Sequence, residues 1–537
     1  MGAKRAKKTR KRGQKAASRP QKRTGRGTAR PRKRTAKAGK TAKNDASTEE
    51  LVDMAEAIRI LKTTRPTFYR WLRAGKIKGM KLGRQWRFTR EDLDRFLKGE
   101  PPRVDLPADL SPLIETLAAK VTELDADDLS GEGYSDVQRV ASLMIVLGIA
   151  MRATDIHISP SIAPDGPGGL ATLRYRVDGM LHQAATIDMR LLPAIVEQFK
   201  RMAACDIHEK VKPQDGRMLL KPRKPIAGRQ IDMLDLRVSF LPAALGEAVT
   251  LRILDRSASL IGLDRIDYAP HDRERLMKAI HSPWGVVLLT GPTGSGKTTV
   301  LYACINALDH DKLKVMSVED PVEFFLPGVT QVAVNEREGM TFERATRAIL
   351  RSDPDAILIG EIRNREALYC AVQAALTGHL VMTTLHTNDA AGGLVRMVDI
   401  GVDPFVVADA TKLVMSQRLV RLLCEHCRVP DEPDANQLAL AAEVSRDGGL
   451  GWPPADPQWK KAVGCEKCGQ TGYRGRTAIA EMLEVTPEIG KALREGATPD
   501  VLKRIAVKQG MTTIAADGIR RAAAGQTSLD EVIRVAR

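Results

Sequence analysis

One stretch constrains this chain more than any other: "VVLLTGPTGSGKTTVLYACINAL", residues 286–308. A run of apolar β-formers leads into a glycine-rich turn, and an amphipathic segment without proline follows it. That order reads as strand, loop and helix. The spacing Gly291-x4-Gly296-Lys297-Thr298 is that of a phosphate loop. Its glycines let backbone N–H groups converge on one anion, and the helix N-terminus adds its dipole. Gly291, Pro292, Thr293, Gly294, Ser295, Gly296, Lys297, Thr298 and Thr299 are therefore candidate nucleotide-binding residues. Lys297 is expected to bridge the β- and γ-phosphates of ATP, with Thr298 on Mg²⁺.

Two further apolar runs end in acids. "KVMSVEDPVE" brings Glu319, Asp320 and Glu323 to a strand end, and "DAILIGEIRN" does the same for Glu361. Strand carboxyl ends converge on the ligand in a parallel sheet. Carboxylates there can hold Mg²⁺ through water or polarise an attacking water. A third apolar run, "TGHLVMTTLHTND", is bracketed by His379 and His386, and His386 at the carboxyl edge is placed to sense a γ-phosphate.

The formal charge of +18 suggests a polyanionic partner until its distribution is examined. Residues 1–43 carry 19 Lys/Arg and no acid, which leaves 65 basic against 66 acidic residues elsewhere. That tail, taken as residues 1–47, has too few large apolar side chains to form a core and is expected to be disordered. No apolar signal-peptide region follows it. The longest apolar stretch, "ASLMIVLGIAM", is about half of the ~20 residues that cross a bilayer. A cytoplasmic chain without a transmembrane segment is expected. Four of the seven cysteines form two CxxC pairs, Cys424/Cys427 and Cys465/Cys468, with 37 residues between the pairs. Two such knuckles suit one closed Zn²⁺ site with a structural rather than catalytic role, and the long gap reads as an excursion pinned at its base.

Residues 48–98 form a separate helix-rich block. The sequence predicts a helix over 51–60, a second opened by Thr64 and Pro66, a hairpin wing in "KIKGMKLGRQWRF", and a closing helix capped by Thr89. Phe68, Trp71, Leu72, Trp86 and Phe88 are its expected core. Nine Lys/Arg and no acid lie between Arg65 and Arg90. The block resembles the MerR/excisionase-like helix-turn-helix. DNA contact through residues 1–98 and protein docking both remain open for it. Residues 99–133 read as linker around a short helix, and the last hundred residues as helical apart from the cysteine insert.

"ATDIHISP", "RYRVDGML", "KPQDGR", "SVEDPVEF", "LRSDPDAILIGEIRNRE" and "ALTGHLVMTTLHTNDA" flank the phosphate loop in order. With them, residues 134–537 resemble the assembly ATPases of type II secretion and type IV pili. The resemblance implies a multidomain α/β fold. A PAS-like α+β domain over 134–258 would precede a RecA-like P-loop ATPase core over 259–537, with the zinc-knuckle insert at 424–468. It implies a homohexamer docked peripherally on an inner-membrane platform protein and hydrolysing ATP with Mg²⁺. "SVEDPVE" would be the Asp box, Glu361 the Walker B carboxylate, and His379 and His386 the His box. Arg217, Arg237 and Arg252 of the smaller domain would neutralise γ-phosphate charge. The cysteine knuckle matches extension and secretion motors rather than retraction motors. Asn364 stands where the family usually has Asp after "GEIR", which removes any carboxylate role there. The alternative is a DNA-binding regulator or DNA-uptake protein using the ATPase ring for oligomerisation or translocation.

Overall fold

The computed structural model describes residues 51–73, 76–82, 85–98, 109–127, 133–162, 169–222, 224–231, 233–255 and 261–536. The basic tail, parts of the expected linker 99–133, and residues 256–260 lie outside these residues.

The first block is a three-stranded antiparallel sheet, β1 (Leu51–Asp53), β2 (Met80–Leu82) and β3 (Gln85–Thr89), ordered β1-β3-β2, with three helices. The expected first helix is shorter than its sequence pattern. Leu51–Asp53 pairs with Arg87–Thr89, and the helix Met54–Ile60 begins only where Asp53 accepts the Glu56 N–H at 2.9 Å. Phe68, Leu72 and Phe88 are buried, with Trp71 and Trp86 packed against them. The hairpin wing and the Thr89 cap form as the sequence predicts.

The helix Ser111–Glu123 inside the expected linker is more than a spacer. Leu113, Ile114, Leu117 and Val121 are buried in the core of the domain that follows. That domain is a six-stranded antiparallel sheet of β4 (Ala153–Ile162), β5 (Gly169–Val177), β6 (Met180–Asp188), β7 (Gln214–Leu220), β8 (Leu234–Ala243) and β9 (Gly246–Asp255), ordered β6-β5-β4-β9-β8-β7. The helices Asp136–Ala150 and Leu192–Met202 contribute to its apolar core. Alternation along β8 keeps Leu236, Val238 and Phe240 in that core, with Arg237 and Ser239 on the opposite face.

The third sheet has seven strands: β10 (Gly285–Thr290), β11 (Val315–Glu319), β12 (Val329–Ala333), β13 (Ala356–Ile359), β14 (Leu380–Leu385), β15 (Thr411–Leu423) and, beyond a two-stranded β16 (Val429–Pro430) and β17 (Lys460–Lys461), β18 (Tyr473–Glu484). The order is β12-β11-β13-β14-β10-β15-β18, parallel except for β18. Every residue of β10, β11, β13 and β14 is buried, as strands covered on both faces require. The twelve-residue β18 corrects the expectation of an all-helical C-terminus. Its run "TAIAEML" has no clear alternation because both of its faces are covered, and pairing with β15 decides its conformation.

Candidate nucleotide site and metal centre

The phosphate loop leaves the buried end of β10 and enters the helix Lys297–Asn306. Gly291, Gly294 and Gly296 have φ of 137°, 80° and 87°, conformations open mainly to glycine. A Cβ on Gly291 would meet the Gln417 carbonyl oxygen at 2.5 Å. Gln417 of β15 also donates to the Ser295 carbonyl at 2.6 Å and accepts from the Tyr268 hydroxyl at 2.8 Å. It fastens the loop from behind, a role no local motif reveals. The Lys297 ammonium donates to the carbonyls of Gly291 and Pro292 at 2.7 and 3.0 Å. Burial lowers its pKa, partly offset by Glu361. Thr298 and Thr299 lie in the first turn, with Thr298 exposed.

The carboxylates lie at the same edge of the sheet with different surroundings. Glu319, the last residue of β11, is buried and receives the hydroxyls of Tyr302 and of Ser317 (2.6 Å) and the Gln331 amide (3.0 Å). It is held as an anchor between strand and phosphate helix, which fits poorly with the expected role of orienting water. Glu361 takes the Arg363 guanidinium and faces His386 Nε2 at 3.6 Å. Arg363 also donates to Asp320 at 2.9 Å and so joins the two acidic motifs. Asn364 accepts the Ala367 N–H at 2.8 Å as a helix cap, a task an Asp would do equally, so its amide costs nothing structurally.

His379 lies at the end of β14 away from His386. Gly285 at the start of β10 donates to its carbonyl, and it precedes β14, so it lies at the amino edge of the sheet, opposite the loop. Its Nδ1 sits 2.9 Å from the Ala374 carbonyl at a helix end, and within one subunit it cannot join His386 at a nucleotide. The arginines also divide. Arg217 holds Asp235 and Arg252 holds Asp155 within the small domain, whereas Arg237 reaches Glu323 of the large one.

A cavity of about 430 Å³ opens beside the loop, within the range of small-molecule sites. Arg152 and Ile253 line it from the small domain, and Gly296, Thr299, Gln417 and Leu419 from the large one. Apart from Gly296 and Thr299, these residues carry no sequence signal, because they meet only in the folded chain.

The four cysteine thiols lie within 4.8 Å of one another. Sγ separations of 3.9 Å (Cys424–Cys465), 3.8 Å (Cys427–Cys468) and 3.7 Å (Cys465–Cys468) match the ~3.8 Å edge of a tetrahedron with Zn–S bonds of about 2.3 Å. The backbone N–H groups of Cys465 and Gly472 point at Cys468 Sγ at 3.2 Å each, as a thiolate requires. The donor set fits Zn²⁺. The excursion is closed at its base by β16 pairing with β17, and its helix Ala435–Asp447 packs on the C-terminal helices through Ala441, Ile519 and Ala522.

On the first block, Arg65, Arg70, Arg73, Lys76 and Arg90 are exposed. The Trp86 ring of the wing lies 5.4 Å from that of His208 in the small domain.

A phosphate loop on the inner strand of a mostly parallel sheet, with acids on neighbouring strand ends, defines a RecA-like P-loop nucleotide-binding protein. Residues 131–534 match the model of the Type II/IV secretion system protein family, and residues 51–101 match a helix-turn-helix domain. The chain is 42% identical over 448 residues to type II secretion system protein HxcR of Pseudomonas aeruginosa, covering 83% of this chain and 82% of that protein. It is 41% identical over 425 residues to type II secretion system protein E of Dickeya dadantii, covering 79% and 80%. The fold is shared with the Legionella pneumophila ATPase DotB (TM-score 0.52, 19% identity, 73% of this chain and 94% of that one). The chain therefore belongs to the Type II/IV secretion system protein family and carries an N-terminal helix-turn-helix domain. Among the described residues no helix is long and apolar enough to cross a membrane.

Proposed function

We propose that this chain is an ATP-hydrolysing motor that powers assembly of type II secretion pseudopili or type IV pili. It would work as a cytoplasmic homohexamer docked on an inner-membrane platform protein. The observation that carries this reading is the cavity between the two domains, with the phosphate loop on one wall. Backbone N–H groups of Gly291–Thr298 and the Lys297 ammonium would bind the phosphates, and Thr298 with Glu361 would hold Mg²⁺, which supplies charge neutralisation at the transferred phosphoryl group. Glu323 is favoured over Glu319 to orient the attacking water, since Glu323 is partly exposed in an ion pair with Arg237 whereas Glu319 is buried beneath three donors. His386 beside Glu361 would read the γ-phosphate. Zn²⁺ at the four cysteines would be structural. The domain limits proposed are 48–98, 134–258 and 259–537. Purified full-length protein should hydrolyse ATP with Mg²⁺, and Lys297→Ala should abolish turnover. Equal turnover in that variant would remove the enzyme reading.

The exposed arginines of the helix Arg65–Arg73 favour a second, compatible reading in which the N-terminal block contacts nucleic acid. Affinity for duplex DNA should then fall steeply with salt, and Arg70→Ala with Arg73→Ala should reduce that slope by about one to two. Salt-independent or absent binding would leave protein docking as its role.

A further inference from the structure

The stretch "RYRVDGML" lies far from the phosphate loop in sequence, yet it carries a contact between the two domains. Val177 pairs with Met180, so Asp178 and Gly179 alone make the turn between β5 and β6. Their φ values of 47° and 86° are those of the tight hairpin turn that Asp-Gly favours. Arg176 donates to the Gly179 carbonyl at 3.0 Å and braces the turn. Two long strands thus present one carboxylate at a rigid tip.

The large domain meets that tip with a break in its sheet. Arg421 pairs with Arg476 and Leu423 with Tyr473, so Arg474 and Gly475 of β18 together stand opposite Leu422 of β15. This is a β-bulge, which leaves one residue outside the ladder with an N–H that needs another partner. The Gly475 N–H donates to Asp178 Oδ2 at 2.9 Å, and Arg476 Nε lies 3.7 Å from Oδ1. The Asp178 and Arg476 side chains are only 21% and 31% exposed, so their attraction is screened less than that of a pair at the open surface. Asp178, Gly475 and Arg476 all line the cavity beside the phosphate loop. On its other side the bulge is held by the cysteine knuckle, where the Cys424 N–H donates to the Gly472 carbonyl at 2.9 Å.

We infer that Asp178 is a positioning residue for nucleotide binding: it fastens the small domain to the bulge of β18 and keeps the cavity closed around the ligand. The inference rests on the ATPase reading of the site. Asp178 acts through the contact between domains, without touching the nucleotide. When that contact is lost, the chain spends part of its time with the cavity open, and apparent affinity falls with the fraction that stays closed. That fraction is common to every nucleotide, so ATP and ADP are weakened alike. Saturating nucleotide restores the closed form, and with it the rate.

The test titrates the full-length chain with fluorescent ADP and with a fluorescent non-hydrolysable ATP analogue, alongside steady-state ATP turnover and thermal melts. Asp178→Gly removes the carboxylate yet keeps a residue that accepts a φ of 47°. It should weaken both nucleotides about tenfold, raise KM by a similar factor and change kcat by less than about twofold. Asp178→Asn keeps an oxygen for the Gly475 N–H but no charge for Arg476, and should weaken both about threefold. Unchanged affinities in Asp178→Gly, a loss confined to one nucleotide, or a fall in kcat without a rise in KM overturns the inference, even where the melting temperature drops. A wild type that binds neither nucleotide overturns the ATPase reading instead.

Discussion

The phosphate loop and the cysteine knuckle are both short turns that gather charge around one ion, and they do so by opposite means. The loop uses its main chain: three glycines at positive φ, braced from behind by Gln417. The knuckle uses side chains, four thiols from two segments 37 residues apart, with the backbone only supporting Cys468. A site built from backbone is intolerant of one added methyl group. A site built from side chains is intolerant of one lost ligand atom.

Substitutions in each region test that contrast. The largest effect is expected at the knuckle: Cys465→Ser should lose one bound zinc per chain and destabilise its segment by about 4 kcal/mol or more, while neighbouring Glu466→Ala leaves metal content unchanged. Elemental analysis with thermal melts reads both. Next, Gly291→Ala should weaken ATP binding about a hundredfold, because the new Cβ meets a carbonyl oxygen at 2.5 Å. Gly294→Ala, at φ 80° but with nothing within 4 Å, carries only backbone strain of about 1–2 kcal/mol, roughly tenfold. Equal losses at the two glycines would sink the explanation from close approach. Third, Tyr302→Phe removes a donor to the buried Glu319 and should cost about 1–3 kcal/mol in chemical denaturation.

The smallest effect is one of pH, at Asp272 in the helix Pro270–Ile280 outside both regions. Burial pushes the Asp272 carboxyl up to about 6, with Asp517 adding to the rise and His271 and Arg275 opposing it. A folded value above the unfolded one gives stability that is present below about pH 4 and is lost as pH rises through about 6. Asp272→Asn should therefore be more stable than wild type above pH 6, by on the order of 1 kcal/mol, and lose that advantage near pH 4. Thiolate ligands respond in the other direction, since acid protonates them and releases the metal. A variant that melts in parallel with wild type across this range would remove Asp272 from the account.

The same contrast explains how much the sequence disclosed. Glycine spacing announces the loop because the backbone demand falls on consecutive residues, and CxxC pairs announce the knuckle because each pair is local. The amphipathic core of residues 51–98 was legible for the same reason. Glu319 and Glu323 were indistinguishable in "SVEDPVE", since what separates them is Tyr302, Gln331 and Arg237, all distant in sequence. The separation of His379 from His386 follows from the strand between them, and its parallel pairing with β10 shows that His386 is on the loop side. The strand β18 was missed because burial on both faces erases the period of two on which strand recognition depends.

The pairing of β16 with β17 at the foot of the cysteine excursion bears on how such chains diverge. Once its ends are clamped by that pair and the knuckle, doubling the length of the intervening segment adds only about 0.6 kcal/mol of closure entropy. Insertions in the exposed stretch 455–457 are thus nearly neutral to folding, so it can lengthen while the helix Ala435–Asp447 keeps its packing on Ile519 and Ala522 and β15, with its brace on the phosphate loop, keeps its register.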